Sequence, residues 1–72
     1  MKKDELTNYF SEFWKVDKSA VKDSLMLDSK SVKGMSSIRL YQFLASVESK
    51  FHVKIQNVNK IVTFGDLFRN IR

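Results

Sequence analysis

The stretch SIRLYQFLASVESKF, residues 37–51, carries the cleanest period in the chain, and its reading decides the fold class. Leu40, Phe43, Leu44, Val47 and Phe51 recur at i, i+3, i+4, i+7 and i+11, which at about 100° per residue confines them to one narrow arc of a helix. That arc is the expected core face. Ile38, Tyr41 and Ala45 project to nearly the opposite side and leave a second apolar stripe that the core cannot use. Such a stripe calls for a partner.

Working outward, residues 63–71 repeat the helical signature, with Phe64, Leu67, Phe68 and Ile71 at i, i+3, i+4 and i+7. Thr63 and Asp66 stand in capping-box spacing and mark the start of that helix. Upstream, Leu6, Phe10 and Phe13 at i, i+4 and i+7, with Tyr9 and Trp14 flanking the stripe, predict an amphipathic helix over about residues 2–15. Asp4 and Glu5 suit its positive end. Residues 16–36 lose the period: Val21, Leu25, Leu27 and Val32 are scattered among Asp, Ser and Lys, so a long, partly anchored loop is expected there, ending near Gly34. Unstructured loops of this length are uncommon inside small domains and are more often functional than not. Between residues 51 and 63 there is room for one short helical turn around Val58, at about residues 56–60. The sum is an all-α bundle.

Seventy-two residues fold around a single core, so one domain spanning 1–72 is expected and a multi-domain enzyme is excluded. Cysteine and proline are absent and glycine occurs only at Gly34 and Gly65, which removes a disulfide framework, a thiolate metal site, a cysteine nucleophile and a flexible linker. A reducing cytoplasm fits that composition. No apolar run is long enough for a membrane span or a signal-peptide core, so a soluble, untargeted protein without a membrane partner is expected. The net charge of +5 is uneven. Residues 1–36 hold seven basic and six acidic side chains, whereas residues 37–72 hold six basic and two acidic, so the excess lies in the second half.

Gly34, Met35, Ser36, Ser37 and Ile38 end the loop and open the central helix. A serine in the first turn lies beside unsatisfied N–H groups and the positive end of the helix dipole, where a phosphate esterified to its hydroxyl is electrostatically favoured. Serine is also a preferred N-cap, so simple capping is the plain reading of a Ser-Ser pair at a helix start.

The order of the segments resembles the acyl carrier protein family. Its attachment motif reads Gly-x-Asp-Ser-Leu or Ile, its central helix ends in Glu-x-x-Phe-x-Ile-x-Ile, and its last helix begins with Thr-Val-Gly-Asp-Leu. Here Gly34 to Ile38, then Glu48, Phe51, Val53 and Ile55, then Thr63, Gly65, Asp66 and Leu67 follow at near-family spacing. The resemblance covers almost the whole chain. It implies a four-helix carrier domain with a long loop between helices 1 and 2 and a short third helix or turn. It also implies that Ser37, with Ser36 beside it, carries a 4'-phosphopantetheine group, attached from coenzyme A by a separate phosphopantetheinyl transferase that uses magnesium. The domain itself is then no enzyme. It holds acyl or aminoacyl groups as thioesters for the loading and biosynthetic enzymes of fatty acid, polyketide or related lipid metabolism, as a monomer. By the same resemblance partner docking falls on Met35, Ile38, Arg39, Tyr41, Gln42, Ala45 and Glu48.

Three departures are visible. Ser36 stands where the family has Asp, and the central helix offers Arg39, Gln42, Ser49 and Lys50 with Glu48 as its only acid, where the family carries an acidic face. The segment between Ile55 and Ile61 is about two residues shorter than the family's, the third departure. An interaction module of the same fold without the prosthetic group is the alternative that Ser36 motivates. A small basic helical domain binding nucleic acid is the alternative from another class, resting on charge alone. It is not the expected function, because all six Phe residues occupy apolar helical positions and too few aromatics remain for a stacking platform. His52, the single histidine, lacks companions for a metal site and is expected in solvent.

Overall fold

The computed structural model describes residues 1–72 as three α-helices, α1 (Lys3–Trp14), α2 (Ser37–Phe51) and α3 (Phe64–Arg69), with 3-10 turns at Lys18–Ala20 and Val58–Lys60 and no β-strand. The domain is mostly helical, and no helix is long and apolar enough to cross a membrane. Helix α1 opens with Asp4 and Glu5 in its first turn, and Glu5 Oε1 accepts the Lys2 N–H at 3.0 Å. Its apolar stripe buries Leu6, Phe10 and Trp14. Helix α2 buries Phe43, Leu44 and Val47, the middle of the expected arc, while Leu40 and Phe51 at its ends are half-buried.

Phe10 joins all three helices. Its ring meets Phe43 of α2 edge-on at 5.4 Å and Phe64 of α3 edge-on at 5.3 Å. Trp14 and Phe13 close on Phe43 from the same helix, at 5.8 and 4.9 Å. Such edge-to-face pairs add about 0.5–1.5 kcal/mol each beyond the area they bury. Trp14 and Tyr9, which flank the α1 stripe, join this cluster: Trp14 is buried, and the Tyr9 hydroxyl donates to Ser46 Oγ at 2.9 Å.

The segment 16–36 contains no α-helix and is a long loop anchored to the rest of the domain at several points. Asp17 caps the first 3-10 turn by accepting the Ser19 N–H at 3.0 Å, and Val21, Val32 and Met35 are buried in the core. Its middle then lies along the start of α3. Leu27 N–H donates to Val62 O at 2.9 Å, Phe64 N–H to Leu25 O at 2.9 Å and Gly65 N–H to Asp23 O at 3.0 Å, around an isolated antiparallel bridge between Met26 and Thr63. A Cβ on Gly65 would lie 3.0 Å from Asp23 Cβ and 3.1 Å from Asp23 O, so a side chain here would press on the loop. Backbone pairing with a distant segment leaves no periodic mark in the loop's own sequence.

The last helix is also shorter than the 63–71 expected. Thr63 is its N-cap, with Oγ1 accepting the Asp66 N–H at 3.1 Å, and the helix stops at Arg69 because the chain turns to pair elsewhere. Gln56 N–H donates to Asn70 O at 2.8 Å and Arg72 N–H to Lys54 O at 2.7 Å, which places Ile71 opposite Ile55. The short turn sits at Val58–Lys60, so of the expected helices only three are α-helical.

Candidate functional site at the start of helix α2

Two serines meet the end of the loop in different ways. Ser36 is the N-cap of α2, in extended conformation, and its Oγ accepts the Arg39 N–H at 3.2 Å. Ser37 is the first helical residue; it is exposed, and its hydroxyl makes no hydrogen bond within the domain. Gly34 supplies the left-handed turn, φ 84°, that brings the chain out of the loop. Met35 N–H then donates to Val32 O at 3.1 Å, and the Met35 side chain is only 4% exposed. Expected on the docking surface, Met35 instead pins the loop's end to the core, so the serine pair stands on a fixed base.

Both serines open onto a cleft of about 240 Å³, lined also by the apolar Leu27, Met35 and Leu40 and by Asp28 and Ser29. Asp28 is the one charged residue of this lining. Its Oδ1 accepts the Ser31 N–H at 2.8 Å and its carbonyl the Val32 N–H at 2.9 Å, which fixes the carboxylate in place. The sequence did not single out Leu27, Asp28 or Ser29. Only the Asp-x-x-Ser spacing hints at the local turn that positions them.

The second stripe of α2 stands outside the core: Ile38 is 72% and Tyr41 56% exposed, with Ala45 and Gln42 also exposed. Arg39 lies exposed beside it with its guanidinium 5.5 Å from the centre of the Trp14 ring. That indole also holds the one buried side-chain nitrogen without a hydrogen-bond partner, Nε1. Glu48 does not belong with these groups. Half-buried at the far end of α2, its Oε2 accepts the Ile55 N–H at 2.8 Å, so it clamps the following segment rather than presenting charge.

A second cleft, also about 240 Å³, lies between α1 and the end of α2, where Lys50 Nζ sits 5.5 Å above the Tyr9 ring and 5.8 Å above Phe51, with Glu5, Asn8 and Glu12 at the rim. It is remote from Ser37 in sequence and shares no lining residue with the first. His52 is exposed in a left-handed C-cap, and no three His, Asp or Glu side chains gather where a metal ion would fit. The carboxylates held below their ordinary range, Asp17 by the Ser19 backbone and hydroxyl and Asp66 by the Val62 and Thr63 N–H groups and Arg69, are helix and turn caps outside the site.

The arrangement is a free primary alcohol at a helix N-terminus, above a small cleft and beside an exposed apolar stripe. A comparison with protein-family models gave no match, and neither did comparisons with curated proteins and with solved structures.

Proposed function

We propose that this domain is a carrier protein that bears a 4'-phosphopantetheine arm on Ser37 and passes acyl or aminoacyl groups between partner enzymes. The observation that carries the reading is the division of labour between the two serines: Ser36 is spent on the cap, and Ser37 is left exposed with an unengaged hydroxyl. A phosphodiester at Ser37 would sit at the positive end of α2, a 15-residue helix, and the residues present fit it. Arg39, two residues on, adds positive charge, whereas Asp28 in the cleft lining adds negative. Once attached, the arm supplies a terminal thiol that holds its load as a thioester. The domain's own residues then present the serine, cap the helix and offer Ile38, Tyr41 and Ala45 to each enzyme that reaches for the thiol.

In this reading the architecture is a reduced four-helix carrier bundle, with Val58–Lys60 standing for the third helix. The magnesium that accompanies attachment belongs to the transferase, and a reducing cytoplasm is the setting proposed for it.

Intact mass after incubation with coenzyme A, magnesium and a broad-specificity phosphopantetheinyl transferase tests this directly. Wild type should gain one phosphopantetheine and Ser37→Ala none. A wild-type protein that stays unmodified would remove the carrier reading and leave an interaction module of the same fold. Modification that persists in Ser37→Ala would move the attachment to another serine.

A further inference from the structure

We infer that the load on this arm rides outside the helices, which restricts the cargo to short or polar acyl and aminoacyl groups; the inference rests on the carrier reading above. An apolar chain extending from Ser37 has two places to go: inward between α1, α2 and α3, or outward over the surface. The inward path is filled. Leu6, Phe10, Val32, Phe43, Phe64 and Leu67 are all fully buried. The rings among them interlock. Phe10 bridges Phe43 and Phe64 edge-on at 5.4 and 5.3 Å, and Trp14 lies tilted against Phe10 at 6.1 Å and Phe43 at 5.8 Å.

Phenylalanine rings that lock one another cannot be shifted singly, and a core at native density does not admit added methylenes without strain. Both clefts of the domain are open to its surface, and none of the fully buried core residues lines either one. The one beside Ser37, about 240 Å³, is walled partly by Asp28 and Ser29, which a long hydrocarbon would desolvate without replacing their hydrogen bonds. A long chain would therefore stay exposed to water, at a cost that grows with each methylene. A short or polar load meets no such cost.

The chain contains no cysteine, so Ser37→Cys creates a single thiol that takes a synthetic arm by alkylation, whether or not Ser37 is an enzyme substrate. Two arms of pantetheine length are compared, one ending in an acetyl and one in a dodecanoyl group. Thermal melts and Trp14 emission are read at two protein concentrations. The dodecanoyl form should melt no higher than the acetyl form, with unchanged emission from the single tryptophan; a rise that disappears on dilution reflects pairing of exposed chains and agrees with the inference. A rise of about 5 °C or more that persists on dilution, the size expected when a domain this small gains buried apolar area, would place the chain inside the core and overturn it. Because the arm is attached chemically, this outcome is separate from failure of the transferase test, which bears on the carrier reading alone.

Discussion

Helix α2 presents apolar residues to two opposite sides, and only one of them is used within the domain. On one side Phe43, Leu44 and Val47 are buried in the core; on the other Ile38 and Tyr41 remain 72% and 56% exposed. Both sets carry large apolar surfaces, so residue type alone does not say which is buried. Partners do. Phe43 faces Tyr9, Phe10, Phe13 and Trp14 at ring distances of 4.9–5.8 Å, whereas Tyr41 touches no other ring and its hydroxyl bonds nothing. One face is closed by α1, and the other begins one residue after Ser37 with nothing over it.

The largest expected effect belongs to the sealed face. Phe43→Ala removes the ring on which four aromatic neighbours converge and should cost about 3–5 kcal/mol. A core this small supplies about that much in total, so the variant should be largely unfolded at room temperature by circular dichroism. If Phe43→Ala keeps a cooperative melt within a few degrees of wild type, the aromatic hub is not what holds the helices together.

Tyr41→Ala provides the contrast. Its stability should stay within about 0.5 kcal/mol of wild type, because an exposed residue without partners loses little. Transfer to or from a cognate enzyme should weaken by about 1–2 kcal/mol, a factor of roughly 5–30, if the tyrosine anchors the contact. Thermal melts beside partner turnover separate the two faces. Should Tyr41→Ala melt as badly as Phe43→Ala, the division of α2 into an inner and an outer side would have to be abandoned.

The period in residues 37–51 makes this division readable from residue spacing alone, because a helix writes its faces into its sequence. What the sequence could not show is set by segments far away along the chain. Met35 looks like surface beside Ser36, yet the loop folds back so that Val32 and Met35 share the core. Glu48 looks like a docking acid, but its carboxylate is taken by the backbone of Ile55, seven residues on. Leu27, Asp28 and Ser29 line one cleft with Ser37 beside a segment, residues 23–27, that pairs with the start of α3, and such bridges have no period. The end of α3 departs from its spacing for the same reason: Ile71 stands at a helical interval but is drawn into pairing with Ile55.

Arg39 lies at the border of the two faces and should show a smaller, mixed effect. Its guanidinium covers the Trp14 ring at 5.5 Å, so Arg39→Glu should cost about 0.5–1 kcal/mol of stability through the lost cation–π contact. The same change should speed modification by a transferase whose docking surface is basic, and the gain should fade with added salt, since encounter between exposed charges is screened. Rates measured at low and high salt check this. Equal rates for wild type and variant at low salt would leave the basic flank without a role in docking.

The smallest effect lies in the cap of α3, and tests whether the site's supporting frame depends on pH. Asp66 Oδ2 accepts the Val62 and Thr63 N–H groups at 3.1 Å each, and Oδ1 pairs with Arg69 at 2.6 Å. These donors hold its carboxyl below the ordinary carboxylate range. A pKa lower in the folded than in the unfolded chain means that the unfolded chain takes up the proton first as pH falls. The cap's contribution is therefore complete above the ordinary carboxylate pKa, shrinks as the pH drops below it, and is gone once the folded carboxyl itself is protonated. Because Thr63 and Gly65 bind the loop to α3, weakening this cap should loosen residues 23–27 before it touches the α1–α2 core. Asp66→Asn should thus be less stable than wild type at neutral pH and indistinguishable from it in acid, with Asp17 titrating alike in both. Denaturant melts across that range decide the matter: a gap between the two proteins that stays constant down to the most acidic sample would show that the carboxylate's charge contributes nothing to the cap.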